Sequence, residues 1–426
     1  MKKVSVILTN RDTLQYLKIA IESLRLNNEP VHEIIVLDDN SKDGSKEWIK
    51  KNAEKYGFNY WLNEEKDRMG LMILNEKGIS LAKNDIIFLG HSDMYYGKDC
   101  IKNLIKYLKP KTVVCSTRIE PPIYSDEWCR YQRDYGMTAD EFMKNNFNVE
   151  VERLKTNKVT VGVFAPTMLY KKDWFGYDLE FLPQSREDDD IFYTMKKKGY
   201  NFIQSWSSFV YHFSGKGSRH KDNSLNDTEE WKKSNYKNTR NFIRKHKTIP
   251  RHNKWHNPQL APNISLTLCV ATFNDENRIG GFLEKMEPFF DEIVIADESE
   301  DNTLNVIEAY KEKETKISKL FNPNKIKIFK KKLNGDYSEL RNFMNKQVTS
   351  DWVLHADTDE NYSMDMLTNL RFVIDKLKNN TNVIGFPRAN YLDGILVNDI
   401  PRHLWNRDYL NKVIKHEREK QRNRPR

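Results

Sequence analysis

The sequence predicts two consecutive α/β domains, each built on a mostly parallel, Rossmann-like sheet covered by helices on both faces. Three observations carry that expectation. The chain has 426 residues, more than one hydrophobic core usually serves. Two segments about 260 residues apart carry the same signals in the same order. Within each, continuous apolar runs typical of buried strands alternate with apolar residues at helical spacing.

The first copy opens with VSVILTNRD, continues to HEIIVLDDNSKDGS and reaches NDIIFLGHSDMYY. The second opens with LTLCVATFNDENR, continues to DEIVIADESEDNT and reaches SDWVLHADTDENY. Leu14, Leu17, Ile21 and Leu24 share one helical face after the first strand, as do Ile279, Phe282, Leu283 and Met286 in the second copy. Strand–helix alternation implies right-handed crossovers, with ligands bound beyond the carboxyl ends of the strands. The acidic clusters stand at those ends. The polar segment from Gly215 to Asn263, broken by Pro250, Pro258 and Pro262, reads as a helix from Thr228 to His246 and then a linker. The expected domains are therefore 1–257 and a shortened 262–426, with a frayed, charged end from Lys415 to Arg426.

Hydrophobic residues at 38% and aromatics at 12% are enough to build cores and exclude disorder throughout. The net charge of +9, from 70 basic and 61 acidic residues, suits anionic ligands such as nucleotide diphosphates, phospholipid headgroups or nucleic acid. A solvated lysine-rich surface explains it equally well. No RNP, helix-turn-helix or zinc-finger signature is present, which sets nucleic acid aside. Cys100, Cys115, Cys129 and Cys269 show no CxxC spacing and read as reduced thiols. The apolar run after Lys3 stops at Thr9, and no stretch approaches the roughly 20 apolar residues that span a bilayer. A cytoplasmic protein is expected, with any membrane contact peripheral.

Carboxylates at strand ends accept hydrogen bonds from base N–H groups and ribose hydroxyls. They repel a diphosphate unless a divalent cation lies between. Asp357-Thr358-Asp359 sets two carboxylates one residue apart, able to reach such a cation directly or through water. His91-Ser92-Asp93, at the equivalent place, keeps only the last. One such Asp alone would equally well cap a turn, but the whole set recurring in order argues against capping as its sole role. Arg11 and Lys42 read as surface charges. In FLPQSREDDDIFYTMKKKGY, Glu187, Asp188, Asp189 and Asp190 open a short helix. The helix dipole accounts for one or two of them. Four adjacent like charges repel, and a carboxylate retained there suits a base that removes an acceptor hydroxyl proton. His212, in FVYHFSG, is either a packed histidine or a metal ligand.

Taken together, these residues resemble the family 2 glycosyltransferases of the GT-A fold, over most of both halves. Asp38-Asp39-Asn40-Ser41 is similar to that family's nucleotide-contacting strand end, with Thr9 at a second base contact. His91-Ser92-Asp93 resembles its DxD motif with the first Asp replaced. Glu187-Asp188 resembles its ED motif, whose Asp is the base, and His212 its later metal-binding histidine. The second half is similar to lipopolysaccharide-core glucosyltransferase-like members through DWVLHADTDE and DYSELRNF. That similarity puts Asp297, Arg341, Asp357 and Asp359 at nucleotide and metal positions. HLWNR and Lys415-His416-Glu417 resemble its closing elements but arrive early, and no second ED motif follows.

The resemblance implies direct displacement with inversion, without a covalent sugar intermediate. It also implies Mn2+ or Mg2+, a nucleotide-sugar donor of the UDP-sugar type, and a glycan or lipid-linked acceptor. Either both halves transfer sugar, or one does while a degenerate second half binds carbohydrate or serves structure. Loops such as Ile119 to Lys158 would set specificity.

Overall fold

The computed structural model describes residues 2–28, 32–65, 67–122, 129–216, 227–254, 256–379 and 381–386, with strands at 389–392, 395–399 and 402–406. Two compact units account for the chain: 1–239 with 250–260, and 240–249 with 261 onward.

The first unit begins β1 (Val4–Asn10), α1 (Leu14–Asn27), β2 (Glu33–Asp38), α2 (Ser45–Tyr56), β3 (Asn59–Leu62), α3 (Leu71–Leu81) and β4 (Ile86–His91). It continues with β5 (Met94–Tyr96), α4 (Cys100–Ile105), β6 (Thr112–Glu120), β7 (Tyr131–Gln132), α5 (Lys144–Leu154), β8 (Val159–Thr160), β9 (Thr167–Tyr170), α6 (Glu187–Lys197) and β10 (Asn201–His212). Helix α7 (Glu229–His246) gives its residues up to Thr239 to this unit and those from Arg240 to the second.

The main sheet runs β3-β2-β1-β4-β9-β6-β10-β5. Strands β3, β2, β1 and β4 are parallel, β9 is antiparallel to both its neighbours, and β6 is parallel to β10. Every residue of β1 is buried, as the interior of a doubly covered sheet requires. Val4, Val6 and Leu8 pack with Leu17, Ile21 and Leu24 of α1. Ile7 points the other way, toward Leu74 and Ile79 of α3 and Ile191 and Met195 of α6.

The second unit runs β11 (Leu266–Thr272), α8 (Ile279–Met286), β12 (Glu292–Asp297), α9 (Thr303–Ile317), β13 (Ile326–Lys330), α10 (Tyr337–Asn345), β14 (Trp352–Ala356) and α11 (Met364–Leu377). Strands β15 (Val383–Phe386), β16 (Ala389–Leu392), β17 (Ile395–Asp399) and β18 (Arg402–Asn406) follow. The sheet order is β13-β12-β11-β14-β18-β15, with β18 antiparallel to β14. The four helical positions expected to face the core, Ile279, Phe282, Leu283 and Met286, are all buried.

The repetition extends to single hydrogen bonds. Ser5 Oγ donates to Glu33 (2.6 Å), which also accepts from Lys83 N (2.9 Å). Thr267 Oγ1 donates to Glu292 (2.6 Å), which also accepts from Thr349 N (2.8 Å). Asp43 caps the start of α2 through Ser45 and accepts from Leu14 N (2.8 Å). Asp301 does the same through Thr303 and Glu276 N (3.2 Å). Strand register then fixes the correspondence at the acidic ends: Asn10 pairs with Asp38, and Thr272 with Asp297. Leu8 pairs with Gly90, and Val270 with Ala356, so Asp357-Thr358-Asp359 occupies the place of His91-Ser92-Asp93.

The four cysteines are buried and form no disulfide. Among the described residues no helix is long and apolar enough to cross a membrane. Lys415-His416-Glu417 and the end of HLWNR lie outside the described residues.

Candidate active site

A cleft of about 580 Å³ opens in the first unit beyond the carboxyl ends of β1 and β4. Thr9, Arg11, Asp39, Arg68, His91 and Asp93 line one part, and Ser185 to Asp189, His212, Trp231 and Asn235 the other. Asp38 and Ser41 are outside this lining. Asp38 accepts from Asn10 Nδ2 (2.7 Å), Ser41 N (2.9 Å) and Ser41 Oγ (2.6 Å), so its carboxylate holds the turn that presents its neighbour. That neighbour, Asp39, accepts from Asn63 Nδ2, Met69 N and Gly70 N at 2.9–3.0 Å. Arg68 and Arg11 stand 3.6 and 3.8 Å from it. Gly70 is required where it is, because φ is +86° and a Cβ would lie 2.6 Å from the Pro183 carbonyl oxygen.

Asp93 and His212 meet because β5 and β10 are antiparallel neighbours. His212 pairs with Met94, and Phe213 N donates to Asp93 O (2.9 Å). Asp93 Oδ2 lies 3.4 Å from His212 Nε2, and His91 Nδ1 lies 4.0 Å from Asp93 Oδ1. Burial favours the neutral acid, but the charge of His212 overrides it and holds Asp93 down at about 2. Burial likewise opposes the imidazolium of His212, yet the Asp93 charge and hydrogen bonds to Asp93 and Glu120 lift it to about 9. His91 goes the other way, burial lowering it to about 4, so it faces the cleft as a neutral ring.

The acid cluster sits where the chain is bent sharply. Ser185 and Arg186 both have left-handed φ, 80° and 66°, a conformation costly for non-glycine residues and found where a site is held in place. Asn238 Nδ2 clamps this bend, donating to the carbonyls of Phe181, Gln184 and Ser185 at 2.6–2.9 Å. Helix α6 starts immediately after, with Asp189 paired to Arg186 (3.2 Å). Glu187 Oε2 is buried and has no hydrogen-bond partner among the described residues. Burial and the charge of Asp189 push Asp188 up to about 6, and burial with the Asp188 charge raises Glu187 as well. A carboxylate raised toward neutrality at a cleft wall is suited to proton abstraction.

The second unit has its own cleft, about 340 Å³, lined by Arg341, Asp357, Thr358 and Asp359 together with Asp275, Glu298, Lys331 and His355. Asp297 is outside its lining and accepts from Thr272 Oγ1 (2.7 Å), as Asp38 does from Asn10. Glu298 takes the place of Asp39, accepting from Leu333 N (2.8 Å). Phe273, in the register position of Arg11, and Tyr337 line the cleft while 60% and 64% exposed, the exposure expected of stacking platforms. Among the described residues the lining draws nothing from beyond Asp359, the part of the chain that in the first unit supplies Gln184 to His212.

The sequence profile described as Glycosyl transferase family 2 matches residues 5–176 and 267–422, more than half of the chain, while β10 and the first-cleft residues from Gln184 onward lie beyond the first segment. The chain belongs to glycosyl transferase family 2. With two matched segments on two largely parallel sheets, this family 2 chain is the tandem GT-A protein expected from its repeats. Comparison with curated protein sequences found no match.

Similar solved structures include GalNAc-T7 with UDP, GalNAc and Mn2+ (14% identity, 50% of this chain and 44% of that one, TM-score 0.38). A mannosyltransferase from Pyrobaculum calidifontis in complex with GDP-Man and Mn2+ shows 16% identity over 50% of this chain and 58% of that one, with a TM-score of 0.36. TarS of S. aureus shows 14% identity over 58% of this chain and 43% of that one, also at 0.36. This chain thus spans about half the length of these structures.

Of the residues singled out in the family 2 sequence, the first cleft gathers Thr9, Asp39, Asp93, Glu187, Asp188, Asp189 and His212. The second gathers Arg341, Asp357 and Asp359. Arg11 is not the plain surface charge expected, because its Nη1 donates to Asp39 O (3.1 Å) at the cleft wall. Arg68 and Arg186 also line the cleft and were not foreseen, as an isolated arginine in a loop carries no periodic signal. Glu298 was hidden for a different reason: Asp297 drew attention as the strand-end aspartate.

Proposed function

We propose that the first unit is an inverting, metal-dependent glycosyltransferase that moves a sugar from a nucleotide-sugar donor, of the UDP-sugar type, to a hydroxyl of a glycan or lipid-linked acceptor. The observation that carries this is one cleft holding Asp93 and His212 at its floor and a raised carboxyl, Asp188, on its wall. Family membership supplies the reaction class. Thr9 and Asp39 would address the nucleoside, with Arg11, Arg68 and Arg186 near the diphosphate.

The residues present fit a divalent cation. Among the described residues no three His, Cys, Asp or Glu side chains converge as a metal-binding group. Two neighbouring ligands about 2.1 Å from one ion lie roughly 3 Å apart, and the 3.4 Å between Asp93 Oδ2 and His212 Nε2 is close to that. Diphosphate oxygens and water would complete the shell. A bound Mn2+ or Mg2+ would neutralise charge on the departing diphosphate.

For the protein's own part, Asp188 takes the acceptor hydroxyl proton as that oxygen bonds to the anomeric carbon. The bond from that carbon to the diphosphate oxygen breaks, and its electron pair leaves with the diphosphate. Glu187 stands beside Asp188 at the cleft wall, where burial and the Asp188 charge raise it toward the neutral acid. The second unit is best read as a binding domain, since its described cleft has no counterpart of Glu187-Asp188 or of His212. The alternative of two active halves remains the rival reading.

Incubating the chain with a panel of nucleotide sugars and Mn2+, and following nucleoside diphosphate release, tests the proposal. One donor class should turn over, with anomeric configuration inverted by NMR and turnover abolished by chelation. Turnover unaffected by chelator, or retention of configuration, would contradict it.

A further inference from the structure

The buried carboxylate of Glu120 has no part in the chemistry described so far and does not line the cleft. It ends β6, which runs parallel to β10 with Tyr211 beside Ile119, so His212 lies between Glu120 on one side and Asp93 on the other. Glu120 is 1% exposed. His212 Nδ1 is 2.7 Å from Glu120 Oε1, and Ser214 Oγ lies within 3.3 Å of both groups. Arg118 stands 3.6 Å from Oε1, and Arg130 pairs closely with Oε2, so the carboxylate stays ionised in its buried place.

We propose that Glu120 is a positioning residue for the cation site of the first cleft, fixing the His212 ring so that Nε2 points to the place beside Asp93. A carboxylate only accepts, so the ring proton is held on Nδ1. Nε2 then faces Asp93 Oδ2 at 3.4 Å and is the nitrogen left to ligate a cation, which displaces its proton on binding. Partners of this kind orient ligating histidines and raise their basicity, and their loss typically costs about 10- to 100-fold in metal affinity. The inference rests on the proposed metal-dependent reading of this cleft.

The test is Mn2+ binding to the full chain, read by electron paramagnetic resonance with UDP present. The parent carries Asp357→Ala and Asp359→Ala, so that only the first cleft contributes. Glu120→Ala should weaken Mn2+ binding about 10- to 100-fold and reduce the nitrogen hyperfine signal of a coordinated imidazole. Glu120→Gln, which keeps the size and an acceptor oxygen but no charge, should fall between, and it decides the matter if the alanine variant does not fold. Parent-like affinity and hyperfine signal in the folded variants would overturn the role of Glu120. A parent that binds no Mn2+, or an Asp93→Ala variant that binds it as well as the parent, would overturn the metal reading itself.

Discussion

As the proposed base, Asp188 acts only when ionised, and its surroundings make ionisation late. An aspartate with its ordinary pKa of 3.8 would be fully charged by pH 6, whereas burial and the neighbouring Asp189 push Asp188 up to about 6. Sugar transfer at saturating donor should therefore rise with pH through about 6, and a kcat profile checks it. A flat profile from pH 5 to 8 would exclude Asp188 as the base. Stability runs in the opposite sense. A carboxyl whose folded pKa is raised stabilises the fold while protonated and loses that contribution as pH climbs through the folded value. At pH 8 the Asp188→Asn chain should therefore melt at a higher temperature than the parent, a difference that shrinks toward pH 5, as thermal unfolding at both pH values would show. At this scale the sequence told much about residue type and little about facing. Asp38 and Asp39 are indistinguishable as letters, and only the packing of Asn10 and Ser41 against the first turns the second toward the cleft. Glu120 was passed over because a single acid at a strand end, 92 residues before His212, has no local pattern to mark it.

The element whose role could least be read in advance is α7. Its polar composition led to a helix followed by a linker, yet its last residues are bound into the second unit. Arg244 pairs with Glu287 (2.6 Å) and with Glu314, Arg240 reaches Glu314 (3.1 Å), and Lys325 pairs with Glu287 (2.6 Å). Glu287, Glu314 and Arg244 are all buried. Removing one partner of a buried ion pair leaves an uncompensated charge and costs about 3–5 kcal/mol. Arg244→Leu should lower the stability of the second unit by about that much, measured as its own transition in denaturant. For the same reason a fragment starting at residue 262 should fail to unfold cooperatively, while one starting at 240 should do so. Equal behaviour of the two fragments would mean the network is dispensable. Strands β1, β2, β11 and β12, by contrast, were legible, because they are near-continuous apolar runs buried on both faces, whereas short strands such as β3, β7 and β8, with exposed or half-exposed residues, carried no such signal.

The chain as a whole carries one architectural plan twice and, in the proposed reading, the chemistry once. Repeated polar contacts, Ser5–Glu33 with Thr267–Glu292 and Asp43–Ser45 with Asp301–Thr303, hold the same strand ends in both units. The repeat was visible in sequence because it lies in strand ends. The bend at Ser185 and Arg186 was not, since nothing in those letters announces left-handed backbone. The most direct measurement is product formation by the full-length Asp188→Asn chain, donor by donor, beside Mn2+-dependent UDP binding to the same chain. A lost general base lowers turnover about 10²- to 10⁴-fold, and with a single catalytic cleft that loss should apply to every donor the parent uses, while nucleotide binding stays at the parent's level. Parental turnover with any donor would show that the chemistry resides elsewhere in the chain.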